Sequence, residues 1–446
     1  MTGLIGFILS IAILIFVHEW GHYIVARLCG VPVLAFSLGF GPVVLKHTDK
    51  SGCEWRLSAI PLGGYVKMLT LEEKPDLLKE FPRRAFDWAH AVENTVAWRR
   101  FLIVLAGPAM NLIFAVLLYW GMAIQGGYEM APRVGTPIAS SEAALAGIEA
   151  GWTIKKVGDT PVSTFREARN LLKETPAGKT VSVYFTTDSG SSRWVDFRAR
   201  EEDSAKYATP FGLTPFIESV IVGRVEVDSA AEAAGIKAGE TILSINGKSV
   251  GDAHAAIGII RASAGKPLVF RLREAVGSEE RTISVTPRLA RLDTGEEVLR
   301  IGATLASLPA TVYVSYGPIE ALGVGFRQAS AFVALTVGSF AGLLVGEESL
   351  KSLGGPVTIG NIAGKTLSLG LAAFVNFLAA LSISLGILNL LPVPVLDGGH
   401  ILLNLWEMAT GIRPSKAVYA ILNRIGLAFI LCLMGLALFN DFMNLL

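Results

Sequence analysis

Apolar residues fall into four long runs, Leu4–Val17, Phe101–Ile124, Leu371–Leu391 and Ile425–Leu438, separated by stretches of ordinary polarity. With its flanks, each run approaches the roughly 20 residues that a helix needs to cross a bilayer. Between the second and third runs, Pro132–Ala306 reads as an ordinary soluble region. The pattern predicts a polytopic α-helical membrane protein of about four transmembrane helices, with a large α+β segment inserted between the second and third spans. A further stretch, Ala329–Gly346, is apolar enough to span. Its Gly, Ala, Ser and Thr content and its flanking Arg327 and Glu347 also suit a helix lying on the membrane surface. The surface helix is the expectation, because a fifth span would put the later acidic motif on the wrong side.

The insert repeats itself. Ala146-Gly147-Ile148-Glu149-Ala150-Gly151-Trp152-Thr153-Ile154 recurs as Ala234-Gly235-Ile236-Lys237-Ala238-Gly239-Glu240-Thr241-Ile242. Each copy continues through a turn signal, a helical stretch (Phe165–Leu172, Ala253–Ile260) and alternating strands such as Val181–Phe185 and Leu268–Leu272. Two tandem domains mixing strands with a helix follow. They resemble PDZ domains, which bind extended peptides or chain termini by strand addition.

Charge decides the expected orientation. The segment between the first two spans holds Lys46, Lys50, Arg56, Lys67, Lys74, Lys79, Arg83, Arg84, Arg99 and Arg100, and Arg413, Lys416 and Arg424 separate the last two. The extreme ends carry no Lys or Arg. The positive-inside rule then places both basic loops in the cytoplasm, and both termini and the insert outside. A net charge of +1 gives no reason to expect nucleic acid, and the three cysteines match neither a zinc knuckle nor a disulfide framework. The first apolar run lacks the basic start and small-residue cleavage site of a signal peptide, so it reads as a retained span.

That run ends in His18-Glu19-Trp20-Gly21-His22. Residues four apart share a helix face, so both imidazoles can reach one metal ion while Glu19 stands ready to take a proton from the attacking water. The motif is short and weak alone; its position strengthens it. About 15 residues precede His18, about 22 Å of helix, which leaves ionisable groups within the hydrocarbon layer, where they cost several kcal/mol unless satisfied. Zinc needs a third protein ligand. Asp397, in Asn389-Leu390-Leu391-Pro392-Val393-Pro394-Val395-Leu396-Asp397-Gly398-Gly399-His400, lies at a compatible depth beyond a helix broken by two prolines. His400 is a rival ligand, read here as a neighbour hydrogen-bonded to Asp397. Gly107, Pro108 and Asn111 in the second run read as packing and kink residues. Phe36–Pro42 and Arg56–Met68 are strand-like, and backbone of that kind near a membrane must be buried or line a cavity.

With both motifs in view, the chain resembles the site-2 protease family, whose patterns H-E-x-x-H and N-x-x-P-x-P-x-L-D-G it matches in full; Gly107-Pro108, Asn111 and Gly355-Pro356 extend the match. The resemblance implies one Zn²⁺ per chain on His18, His22 and Asp397, with Glu19 as general base. It also implies that Asn389 helps position the substrate or the oxyanion, and that a membrane-associated sheet including Gly63, Gly64 and Tyr65 receives the substrate. Trp20 stands where Phe is common. The implied substrate is a single-span membrane protein of the anti-sigma-factor type, already trimmed outside, with leftover signal peptides as further substrates. The implied setting is the bacterial inner membrane. The expected organisation is a first span with the histidines (1–30), a β-rich loop (31–100), a second span (101–125) and PDZ-like domains (126–216 and 217–308). A surface-helix linker (309–369), a third span with the acidic motif (370–412) and a fourth span (413–446) complete it.

Overall fold

The computed structural model describes residues 2–72, 74–81, 85–199, 209–274, 279–291, 297–346 and 354–443. Arg83, Arg84 and Glu347, named above for their charge, lie outside these. The chain forms two compact units: Met1–Gly126 with Ser315–Leu446, which is helical, and the insert Gly127–Val314.

In the helical unit, α1 (Thr2–Leu28) is apolar almost all round, as a helix facing lipid should be. It stops at Gly30, whose φ of +80° lets Val31 N donate back to the Ala26 carbonyl. The chain then makes the long antiparallel hairpin of β1 (Val33–Thr48) and β2 (Glu54–Met68), with several register shifts. Asp49 closes its turn, accepting from Ser51 N, Ser51 Oγ, Cys53 N and Trp55 Nε1; against the upward push of burial these bonds hold its carboxyl at about 2. The hairpin root packs on one face of α1: Trp20 and Tyr23 stack on each other, and Phe36 and Trp55 close over them. Trp20, at the position where Phe is common by the resemblance, belongs to this cluster. A short helix, α2 (Lys74–Glu80), is tied to the hairpin by Glu80, which pairs with both Arg56 and Lys67.

Helix α3 (Ala97–Gln125) runs antiparallel to α1. Small residues set the crossing: a Cβ at Gly21 would lie 2.3 Å from the Ala106 carbonyl oxygen. Beyond the insert come α4 (Pro318–Val345), α5 (Pro356–Leu369), α6 (Leu371–Leu390), α7 (Asp397–Thr410) and α8 (Lys416–Met443). Among the described residues, five helices are long and apolar enough to cross a membrane: Gly3–Leu28, Ala97–Gln125, Pro318–Leu343, Leu371–Leu390 and Ala417–Met443. The third of these takes in most of the stretch expected to lie on the membrane surface. Ala321, Gly325 and Ala329 recur every four residues and form the face by which α4 lies along α3, against Ala123, Trp120 and Ala115. These small residues form a packing stripe that lets the two helix backbones approach closely. Near the other end of the unit, the buried Asp441 of α8 accepts from Gly355 N, Val357 N and Thr358 Oγ1, capping the start of α5.

The insert contains two α+β repeats. The first has a four-stranded sheet in the order 160–161, 153–157, 180–186, 192–198, with helix Phe165–Lys173 started by a Thr164–Glu167 capping box. Its core gathers Ile154, Val183, Phe185, Phe197 and Phe211. The second orders its main strands 280–285, 268–273, 241–245, 217–225, 303–309 and buries Val222, Ile245, Phe270 and Leu272. The duplication extends past the matching sequence. Ser141 and Ser229 cap equivalent one-turn helices, and Gly212 and Gly302, both at φ +75°, press against those serines. A separate two-stranded ribbon pairs Gly127–Met130, where the insert begins, with Thr311–Val314, where it ends.

Candidate metal centre

Position 18 lies about 200° around the helix from position 16, so the hairpin covers the aromatic face of α1 and leaves His18 and His22 facing α3. His18 Nε2 and His22 Nε2 are 3.2 Å apart. Asp397 Oδ2 lies 3.1 Å from the first and 3.5 Å from the second. Ligand atoms of these three residues all fall within 4.8 Å of one another.

Local sequence explains why Asp397 arrives there. After α6 the Pro392–Pro394 segment breaks the helix, and α7 restarts with Asp397 as its first residue. The following glycines let the chain fold against itself: a Cβ at Gly398 would be 2.1 Å from the Leu391 carbonyl oxygen, and one at Gly399 2.4 Å from Pro394 Cα. Buried Arg100 at the start of α3 pairs with Glu407 near the end of α7, holding the Asp397 helix to the helix that flanks the histidines.

Three contributions from α3 were not legible as such in the sequence. A Cβ at Gly107 would lie 2.3 Å from His22 Nε2 and 2.8 Å from His18 Cε1, so only glycine leaves room for both rings. His22 Nδ1 bonds the Ile103 carbonyl of α3 at 2.7 Å. The fully buried Asn111 places Nδ2 3.3 Å from His18 Nδ1. The spacing Gly107–Asn111 was the available signal, since four residues put a gap and an amide on one helix face.

Glu19 projects beside this group, toward the hairpin. A Cβ at Gly64 would stand 3.1 Å from Glu19 Cγ and 2.8 Å from the Ser37 carbonyl oxygen, so β2 passes directly against the carboxylate side chain. Gly63 backs onto the Phe40 ring, and Tyr65 stacks on Phe40 with its hydroxyl accepting from Arg56. Asn389 ends α6 half-buried and, among the described residues, makes no side-chain hydrogen bond. His400 departs from expectation: it stands apart from the three clustered residues, makes no hydrogen bond to Asp397, and its ring stacks on Tyr419. One helical turn past Asp397, it is turned toward α8 instead.

The donor set suits a divalent metal of borderline softness. Two imidazole nitrogens and one carboxylate oxygen, with room for a further ligand, is the composition of catalytic zinc sites. Both rings use Nδ1 for the protein and turn Nε2 toward Asp397.

Residues 6–433 match the family model for peptidase family M50. The chain is 35% identical to the regulator of sigma-E protease RseP of Salmonella typhimurium and 34% identical to RseP of Escherichia coli K12, in each case over 100% of this chain and 99% of the relative. It is also 38% identical, over the full length of both chains, to a Neisseria meningitidis protein that carries zinc metalloprotease in its name.

Proposed function

From the premise that this chain belongs to peptidase family M50, the site-2 proteases, and is a multi-pass membrane zinc metalloprotease, we propose that it hydrolyses peptide bonds of single-span membrane proteins within the bilayer. The observation that carries this reading is the convergence of His18, His22 and Asp397 beside Glu19, at a point where strand β2 passes.

In this reading His18, His22 and Asp397 hold one zinc ion. When bound, zinc polarises the scissile carbonyl and acidifies the attacking water. Glu19 takes the proton from that water and delivers it to the leaving amine. The hairpin receives substrate: a helical segment hides its peptide bonds, and pairing with a strand at Gly63–Tyr65 would hold the cleaved stretch extended beside Glu19. Asn389, whose amide makes no hydrogen bond among the described residues, is available to bind that backbone.

The proposed physiological substrate is an anti-sigma factor already cut on its outer side, so that cleavage would activate an envelope stress response, with leftover signal peptides as additional substrates. The relatives named regulators of sigma-E protease favour this choice. The proposed setting is the inner membrane, with the basic loops cytoplasmic and the insert periplasmic. The two repeats, as PDZ domains, would govern which substrates enter. The deciding experiment incubates purified protein with a tagged single-span substrate and compares wild type with Glu19→Gln. Cleavage by wild type alone supports the reading; equal cleavage by both variants overturns it.

A further inference from the structure

His18 and His22 are supported differently. His22 Nδ1 faces a backbone carbonyl, Ile103 O at 2.7 Å. A carbonyl only accepts, so His22 Nδ1 carries the proton and Nε2 is left as a lone pair. The partner of His18 Nδ1 is the Asn111 side-chain amide, which has a donor at one end and an acceptor at the other. Asn111 is fully buried, with its Cβ 3.4 Å from where a Cβ on Gly386 would stand and its backbone carbonyl accepting from Ser382 Oγ. Its Oδ1 is buried and, among the described residues, has no hydrogen-bond partner.

The amide therefore has two settings. In the one present, Asn111 Nδ2 donates to His18 Nδ1; the ring proton then sits on Nε2, where it points at Asp397 Oδ2 3.1 Å away. That tautomer satisfies the carboxylate and leaves Asn111 Oδ1 unpaired. In the other, the amide is turned end for end, Oδ1 accepts from His18 Nδ1–H, and Nε2 presents a lone pair. The proton count on the ring is the same in both; only its position differs.

We infer that Asn111 is a positioning residue that selects the tautomer of His18, one amide setting closing the His18–Asp397 contact and the other opening Nε2 as a metal ligand. The inference rests on the assignment of His18 as a ligand, and its failure can be told from failure of that assignment. An acceptor at this position supports the metal-binding tautomer, whereas a side chain with no polar end supports neither.

The test uses the full-length protein in detergent, stripped of metal and titrated with zinc against a chromogenic chelator. Asn111→Leu keeps the volume and should weaken zinc about 10–100-fold, the usual loss when a ligand's supporting partner is removed. Asn111→Asp, which offers only acceptors when ionised, should hold zinc as tightly as wild type. Nitrogen-15 NMR of labelled histidine should show the His18 proton moving from Nε2 to Nδ1 on zinc addition in wild type. In Asn111→Asp it should already sit on Nδ1 before zinc is added. Equal zinc affinity in wild type and Asn111→Leu, equal losses in the Leu and Asp variants, or a His18 proton already on Nδ1 in metal-free wild type would each overturn the inference. His18→Ala without any loss of zinc would instead overturn the ligand assignment itself.

Discussion

In the insert, the largest fully buried side chains include Phe185, Phe197, Phe270, Ile154 and Leu272. In the helical unit, the buried set includes His22, Arg100, Asn111, Ser382 and Asp441, while Ile113, Leu117, Ile425 and Phe429 face outward. Among its described residues the insert buries one carboxylate deeply, Glu240, and answers it with Arg281 and the Lys237 amide. Water outside the insert makes apolar burial its main source of cohesion. Lipid outside the helices is as apolar as leucine, so burying leucine there gains little, and cohesion passes to close backbone approach and polar contacts. The same solvent argument predicts that the two regions fail in different ways when mutated.

The largest effect should come from Glu19→Gln. The amide cannot accept the proton, a function typically worth 10²–10⁴-fold in rate, while zinc content should hardly change. Asp397→Asn should lose zinc along with activity. Metal analysis and turnover on both variants distinguish them; zinc lost from the first and kept by an active second would exchange their roles.

Adding one methyl group to the helical unit should do what removing a whole ring from the insert does not. Gly107→Ala puts a carbon where the His22 ring now lies and should lower zinc affinity and cleavage together. Phe185→Ala should cost about 3–5 kcal/mol of stability, seen as proteolysis or early unfolding of the insert, with zinc affinity unchanged. A drop in zinc affinity from Phe185→Ala would break the separation of the two units.

The Arg100–Glu407 pair sharpens the polar half of the comparison. Breaking a buried pair by one substitution typically costs about 3–5 kcal/mol, so Glu407→Arg should loosen α7 and weaken zinc. The exchange Arg100→Glu with Glu407→Arg should recover much of the loss. No recovery would mean that side-chain shape, and not charge, secures this contact.

The smallest effect should follow the largest deletion. Removing residues 131–310 while keeping the ribbon strands should leave cleavage of an already shortened substrate unchanged and relax rejection of a full-length one. Loss of all cleavage in a correctly inserted protein would show that the insert takes part in the chemistry.

Much of the site was legible because its motifs are local. The His18–His22 spacing and the Asp397-Gly398-Gly399 turn need only one helix or one break to be understood, and the strand character of Phe36–Pro42 and Arg56–Met68 follows from their composition. The role of Asn111 depends on which helix crosses α1, and at what height, and no periodicity states that. His400 was misplaced for a related reason: it lies close to Asp397 in sequence, but the first turn of α7 carries it round to Tyr419. The stripe by which α4 lies along α3 was not legible because small residues serve equally at a membrane surface and at a tight helix contact. The internal repeat announced a duplicated α+β pattern, while the Gly212–Ser141 and Gly302–Ser229 contacts that complete each copy join segments far apart in sequence.

The ribbon of Gly127–Met130 with Thr311–Val314 pairs Gly127 with Val314 and Met130 with Thr311. A flexible tether of roughly 180 residues would cost the helices it joins about 3 kcal/mol more closure entropy than a four-residue turn, since that cost grows as (3/2)RT ln n. By clasping its own two ends, the insert relieves α3 and α4 of that dependence, and they meet a junction no wider than a hairpin. Insert length thus becomes thermodynamically invisible to the membrane helices. A longer, shorter or unrelated domain could be grafted onto the same clasp without disturbing the packing that surrounds His18 and His22.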